Sequence, residues 1–308
     1  MRQLSDIGIA VIPNVLSPEE CESLRAQTWD GLKHITRDEF DHENASTWPQ
    51  YRSKFEPLND MLLHRGDIGH LQSLWDVRQH PNVVQAFSRL WSTPPADLIC
   101  SFDGLSVHLP LPTDARELSP RASAGRLDGL HVDQGRTKTG FQCIQGLVTL
   151  YDVHHGDSSL HLIESSHLHY DDYFKQYPFD SDDDFVFVSH PRFFFNRGCR
   201  ETFVQAAAGS LVLWDSRLVH EGGSVLPQSL RAIPSNPRMV FYVCMVPRER
   251  ASQTDLQERI EAFRNLQTTS HYPVPVRSFG APSNHRSLNP VPQPRLTTQG
   301  RRLVGFDE

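Results

Sequence analysis

The spacing of apolar residues changes near residue 96, and the change divides the chain into a helical part and a strand-rich part. Ahead of that point, residues 8–15 read as a short strand. Ser17, Pro18 and Glu20 then spell a helix start: a serine cap, a proline at the first helical position and a glutamate that closes a capping box, so a helix is expected over about 18–29. Residues 38–65 scatter Trp48, Tyr51, Phe55 and Leu58 among charges and are expected to be irregular. Helical spacing returns over 69–75 and 81–91, the latter with apolar residues at 83, 84, 87, 90 and 91. Beyond residue 96 the period is two, with strands expected over 98–103, 105–109, 141–153, 159–164, 202–204, 210–214 and 239–246. Short helices are expected over 170–177 and 252–266.

Many short strands with Gly, Pro and Asp turns, preceded by helices, predict a mainly β fold with an α cover, a β-barrel or jelly roll. One domain over 1–267 follows, with helices to about 95, a β core over about 96–248 and a closing helix over about 252–266. Residues 110–128, polar and rich in Pro, Arg and Ser, are expected to form a long loop. The tail 268–308 carries Pro273, Pro275, Pro282, Pro290, Pro292 and Pro294 and is expected to be either extended along the domain or disordered.

Composition narrows the class. A chain of 308 residues is long enough to bury a substantial core, and 38% apolar with 22% charged residues fits a soluble globular protein. No stretch approaches the roughly 18 consecutive apolar residues of a membrane span. The net charge of −7 sets the global field against nucleic acid. The five cysteines are odd in number, distant and without a C-x-x-C pair, so they are expected to be buried small residues. With no apolar secretory core at the N-terminus, the expected location is the reducing cytoplasm. The sequence leaves the oligomeric state open.

Candidate chemistry starts at His131-Val132-Asp133, just after the long loop. Residues two apart in an extended strand point the same way, so this imidazole and carboxylate can converge on one metal ion. Taken alone, the tripeptide reads first as a polar loop beside a strand. Downstream, His220 stands just past the apolar run Leu211-Val212-Leu213-Trp214 and before Gly222-Gly223, where it is the natural third ligand. Two histidines and one carboxylate that leave open positions are the arrangement of non-haem iron(II) oxygenases.

The combined pattern resembles the phytanoyl-CoA dioxygenase family of iron(II)- and 2-oxoglutarate-dependent oxygenases. The resemblance runs over roughly 4–248, through the opening strand and capped helix from Asp6 to Cys21, His131-Val132-Asp133, Cys143-Ile144-Gln145-Gly146-Leu147, Ile163-Glu164-Ser165-Ser166-His167, the His220 strand and the Arg238 strand. It implies a double-stranded β-helix, a jelly roll or cupin-like barrel, with iron(II) held inside by His131, Asp133 and His220. It implies 2-oxoglutarate and O2 as cosubstrates and a small organic molecule as substrate. It also implies a basic residue after the distal histidine for the far carboxylate of 2-oxoglutarate, a task that suits the planar fork of arginine. Arg231 and Arg238 compete. Arg231 lies nearer the usual family interval, whereas Arg238 opens an obvious strand and is better preorganised, so Arg238 is preferred. An aspartate at 133 favours hydroxylation or another oxidation over halogenation, because related halogenases carry a small residue there. Two departures, Gly209-Ser210 for a frequent Gly-Asp and Glu164-Ser165-Ser166 without a glycine, weaken any transfer of substrate.

Period two places Cys143, Gln145, Leu147 and Thr149 on one strand face, with Gln145 and Thr149 as candidates to meet cosubstrate or substrate. Ser106 and His108 share a face of an earlier strand; Ser106 is a candidate pocket residue and His108 is expected to be structural. Trp214 and Tyr242 are expected to pack the barrel. The histidines at 154, 155, 161, 167 and 169 lack zinc-type spacing and are not read as a second metal site. A catalytically silent jelly roll with a binding or assembly role is the alternative to an enzyme.

Overall fold

The computed structural model describes residues 2–58, 61–109, 129–135, 138–179, 184–223 and 237–307. The expected loop over 110–128 and Arg231 therefore lie outside the described residues. Helix α1 (Arg2–Ile7) leads into β1 (Ile9–Ile12) and α2 (Pro18–Ile35). Ser17 and Glu20 form the capping box: Glu20 N–H donates to Ser17 Oγ at 3.2 Å, and Ser17 N–H to Glu20 Oε2 at 2.7 Å. The helix runs past Trp29 because Leu32 and Ile35 extend the buried stripe of Cys21, Leu24 and Thr28. Gly31 does not end it; a Cβ there would stand 2.8 Å from Leu71 Cδ2, so the glycine admits a close neighbour. Within 38–65, expected to be irregular, lie α3 (Trp48–Phe55) and β2 (Leu62–Leu63). Tyr51 and Phe55, one turn apart, are its buried face, a stripe too short to stand out among the charges.

Helices α4 (Gln72–Arg78) and α5 (Pro81–Trp91) precede β3 (Leu98–Cys100), β4 (Leu105–His108), β5 (His131–Val132), β6 (Ile144–Thr149) and β7 (Ser159–Glu164). Helix α6 (Tyr170–Gln176), β8 (Val186–Phe187), α7 (Arg192–Phe195), β9 (Arg200–Phe203), β10 (Leu211–Asp215), β11 (His220–Gly223), β12 (Arg238–Pro247), α8 (Gln253–Arg264) and α9 (Thr298–Val304) complete the order. The strands form two antiparallel sheets. The larger runs β1-β10-β6-β12-β4-β2, with β3 on the far end of β12, and the smaller runs β8-β5-β11-β7-β9.

Period-two alternation decides what each face does. Met239, Phe241, Val243 and Met245 of β12 pack with Val148 under Trp75, Val84 and Phe87 of the helical cover. The alternate residues Val240 and Tyr242 meet Leu147, Val212 and Trp214 and, across the gap, Leu160 and Leu162 of the smaller sheet. The outer face of that sheet, with Val132, Ile163 and Val219, lies under Tyr170, Tyr173, Phe193 and Phe194. This is the expected jelly roll with helices outside. Among the described residues its halves remain two separate sheets, bridged at Val153–Ala206, rather than one closed ring. No helix among the described residues is long and apolar enough to cross a membrane.

Residues 268–307 lie against the domain and end in α9, whose Leu303 and Val304 are fully buried. Arg259 of α8 clamps them. Wholly buried, its guanidinium donates to the carbonyls of Val304 (3.0 Å), Leu303 (2.9 Å), Pro273 (2.6 Å) and Cys100 (2.6 Å). Replacing Arg259 with Met keeps the apolar stem and strands four carbonyls. Urea denaturation is expected to show a loss of about 3 kcal/mol or more, since each buried unpaired polar group costs roughly 1–3 kcal/mol.

Candidate metal centre

The site begins with one pair of residues in the smaller sheet. His131 opens β5 and His220 opens β11, and the two are direct cross-strand partners. Val132 and Val219, their neighbours, turn outward into the aromatic cluster, so both imidazoles point between the sheets. Their ring centroids are 4.5 Å apart. Asp133, two residues after His131, points the same way. Its Oδ1 lies 3.7 Å from His131 Nε2 and its Oδ2 lies 3.2 Å from His220 Nε2. One ligand atom from each of the three residues falls within 4.8 Å of the others, and this is the metal-type cluster found among the described residues.

Hydrogen bonds fix which nitrogen of each ring is free. His131 Nδ1 lies 2.8 Å from Gly129 O and His220 Nδ1 lies 2.8 Å from Leu218 O. A carbonyl only accepts, so each Nδ1 carries a proton and each ring turns its Nε2 toward Asp133. Burial, and then His220, pushes the His131 pKa down to about 4, so the ring is neutral at physiological pH. Burial pushes the Asp133 carboxyl up, but His131, His271 and His220 together hold it below the usual carboxylate range. The two Nε2 atoms and the carboxylate converge on one point, where a cation would meet all three at once. The donor set therefore fits a divalent transition metal.

The segment bearing Asp133 is pinned on every side. Asp133 N–H donates to Ser216 O at 3.0 Å, and Gln145 Nε2 donates to Asp133 Oδ2 at 2.8 Å. Gln134, fully buried, donates to the carbonyls of Lys138 and Gly140 and accepts from Ser216 Oγ, all at 2.9 Å. Its own carbonyl accepts from Tyr170 at 3.0 Å, and that of Asp133 from Tyr272 at 2.8 Å. Phe185 packs on the His131 ring at 4.4 Å, and both Phe185 and Phe187 are exposed. Sequence reasoning missed Gln134, Tyr170, Phe185, Ser216 and Tyr272. Gln134 follows the H-x-D directly, but nothing in the spacing marks Tyr272, 139 residues away.

A second polar group lies on the inner face of the larger sheet. Arg238, at the start of β12, lines a small cavity with Leu147, Thr149, Leu160 and Val240. It is buried, its Nε and Nη1 have no hydrogen-bond partner, and it faces no carboxylate among the described residues. A carboxylate ligand is the group such a guanidinium lacks. Ser106 Oγ lies 2.8 Å from Tyr242 Oη, and Tyr242 in turn interacts with Arg238. Thr149 Oγ1 donates to Tyr151 O at 2.7 Å. Ser158 Oγ donates to Gly223 O at 2.8 Å and so accepts from His108 Nδ1 at 2.6 Å, which ties β4 to the end of β11. Burial, and then Arg238, pushes the His108 pKa down to about 3, leaving it neutral. Trp214 packs toward His220 at 5.5 Å. His161 stands apart on the outer face, between Glu221 and Glu201 at 2.8 Å each.

Residues 5–233 match the family described as Phytanoyl-CoA dioxygenase (PhyH). A curated relative, Ava biosynthesis cluster protein O of Aspergillus versicolor, is 27% identical over 276 residues, which cover 86% of this chain and 83% of that protein. Among solved structures, GlcNAc Inducible Gene 2 of Candida albicans has a TM-score of 0.56 at 12% identity, covering 100% of this chain and 76% of its own. The epimerase SnoN, solved with Fe3+, alpha-ketoglutarate and nogalamycin RO, has a TM-score of 0.48 at 15% identity, covering 80% and 81%.

Gln134→Leu fills the same space and leaves the carbonyls of Lys138 and Gly140 without this donor. The metal-free protein is expected to lose about 2–4 kcal/mol in urea denaturation, the range for breaking a buried network.

Proposed function

This chain belongs to the phytanoyl-CoA dioxygenase family of iron(II)- and 2-oxoglutarate-dependent oxygenases, and on that premise we propose that it oxidises a small organic substrate at a centre held by His131, Asp133 and His220. The observation that carries the reading is the convergence of those three donors with both Nδ1 atoms already committed to carbonyls. With iron(II), 2-oxoglutarate and O2 bound, the metal and cosubstrate supply the oxidation, and the cosubstrate leaves as succinate and CO2.

The protein's own residues hold, orient and exclude. Gly129 O and Leu218 O keep the imidazole lone pairs on Nε2, and Gln145 holds one carboxylate oxygen of Asp133. Arg238 anchors the far carboxylate of 2-oxoglutarate, with Tyr242 and Ser106 setting the position of its guanidinium. Leu147, Leu160 and Val240 keep water from that ion pair, which strengthens it. Asp133 occupies the place where a halide would need room, which supports hydroxylation or a related oxidation. The relative's place in a biosynthesis cluster supports a small metabolite as substrate. Five buried free thiols support a reducing cytoplasmic setting.

Anaerobic titration with iron(II) and 2-oxoglutarate tests the reading. A visible charge-transfer band is expected for the wild type and absent from His131→Ala and Asp133→Ala; no band in the wild type would leave the silent jelly roll. Arg238→Leu is expected to keep the metal and raise the KM for 2-oxoglutarate by roughly 30-fold or more, the loss expected when one partner of a buried charge pair is removed. An unchanged KM would remove Arg238 from the cosubstrate site.

A further inference from the structure

β5 is two residues long and shares a single ladder position with β11, so the sheet itself holds His131 but not Asp133. What holds the Asp133 backbone is a pair of tertiary hydrogen bonds, one to each side of the residue. Its N–H is taken by Ser216 O from within the jelly roll. Its carbonyl is taken by Tyr272 Oη, on a segment that follows the closing helix and lies outside the stretch matching the family.

That segment is a loop with a welded base. Thr268 N–H donates to Gly66 O at 2.8 Å, Thr269 N–H to Phe102 O at 3.1 Å and Phe279 N–H to Thr268 O at 3.0 Å, while Thr269 and Ser278 bridge. Phe102 N–H donates back to Thr269 Oγ1 at 2.9 Å. The loop then reaches the metal-bearing segment at two points, and Asp184 at a third. Tyr272 Oη meets Asp133 O, Lys138 Nζ sits 4.3 Å over the Tyr272 ring, and Arg277 lies 3.4 Å from Asp184, which also pairs with Lys138. Tyr272 is 4% exposed and packs with Cys143 and Cys244, just before Gln145 and on the strand beside it. Burial, first of all, raises the Tyr272 pKa, so the hydroxyl remains a donor across the working pH range.

We propose that the loop from Thr268 to Phe279 is a working part of the metal centre, with Tyr272 as the positioning residue that sets the Asp133 carboxylate against His131 and His220. The proposal rests on the iron reading above. Without the Tyr272 hydroxyl, the Asp133 carbonyl has no donor among the described residues, and the peptide to Gln134 turns to find one. That turn changes the backbone angle at Asp133 and swings its carboxylate relative to the imidazoles, while the sheet and the rings stay in place. The metal then meets two well-placed ligands and one misplaced ligand.

The test is anaerobic iron(II) titration of the full-length protein, with cobalt(II) absorption as a measure of ligand geometry, on wild type, Tyr272→Phe and Tyr51→Phe. Tyr51 is the control, because it too is buried and donates to a backbone carbonyl, that of Val107 at 3.2 Å, far along the chain from the ligands. Tyr272→Phe is expected to weaken iron(II) binding roughly 10–100-fold, the usual effect of losing a group that orients a metal ligand, and to shift the cobalt bands. Tyr51→Phe is expected to keep wild-type affinity and bands even if its unfolding midpoint falls as far. Wild-type affinity and bands in folded Tyr272→Phe overturn the proposal. Should that variant not fold, Arg277→Gln, at an exposed position whose side chain ties the loop to Asp184, carries the test: weaker binding supports the proposal and wild-type binding overturns it. A wild-type protein that binds no iron(II) would instead overturn the iron reading itself.

Discussion

Two imidazoles and a carboxylate converge in a buried space, and much of this protein serves to hold them there. The pairing of His131 with His220 brings the rings together, and the two carbonyls behind them keep the protons on the far nitrogens. Lone pairs and negative charge are thereby turned onto one point. A cation held there would contact all three residues, which would tie metal binding to the stability of the smaller sheet.

The two sheets divide the work. The smaller one carries the triad on short strands that have little ladder of their own, so it depends on the aromatic layer of Tyr170, Tyr173, Phe193 and Phe194 outside and on the Gln134 network at its edge. The larger one is long, buried on both faces and backed by helices, and it carries Gln145, which donates directly to Asp133, and Arg238 in its cavity. A guanidinium with no carboxylate partner among the described residues is costly to bury. Its retention on the inner face makes sense as a binding site rather than as a source of stability.

The chain past the jelly roll is tied into the same arrangement. Arg259 fixes α9 and the carbonyl of Pro273, and the loop carrying His271 and Tyr272, just ahead of Pro273, comes over the segment that bears Asp133. The wall of the centre is thus assembled from the middle and the end of the sequence, which share no motif.

The sequence by itself determined the parts that obey a local period. The capped start of α2, the amphipathic α5, the strands with one apolar face, the H-x-D pair and the position of Arg238 at a strand start were legible because spacing of two or 3.6 residues dictates which side chains share a face. It was less informative where the period is short-lived, as at α3, or where packing carries a helix past an expected end, as at Gly31 of α2. Only the tertiary structure decided that Gln145 holds Asp133, that His108 ties the two sheets, and that Tyr272 reaches a carbonyl 139 residues away. Those contacts join positions with no fixed separation along the chain, and such pairings exist only once the sheets have closed on each other.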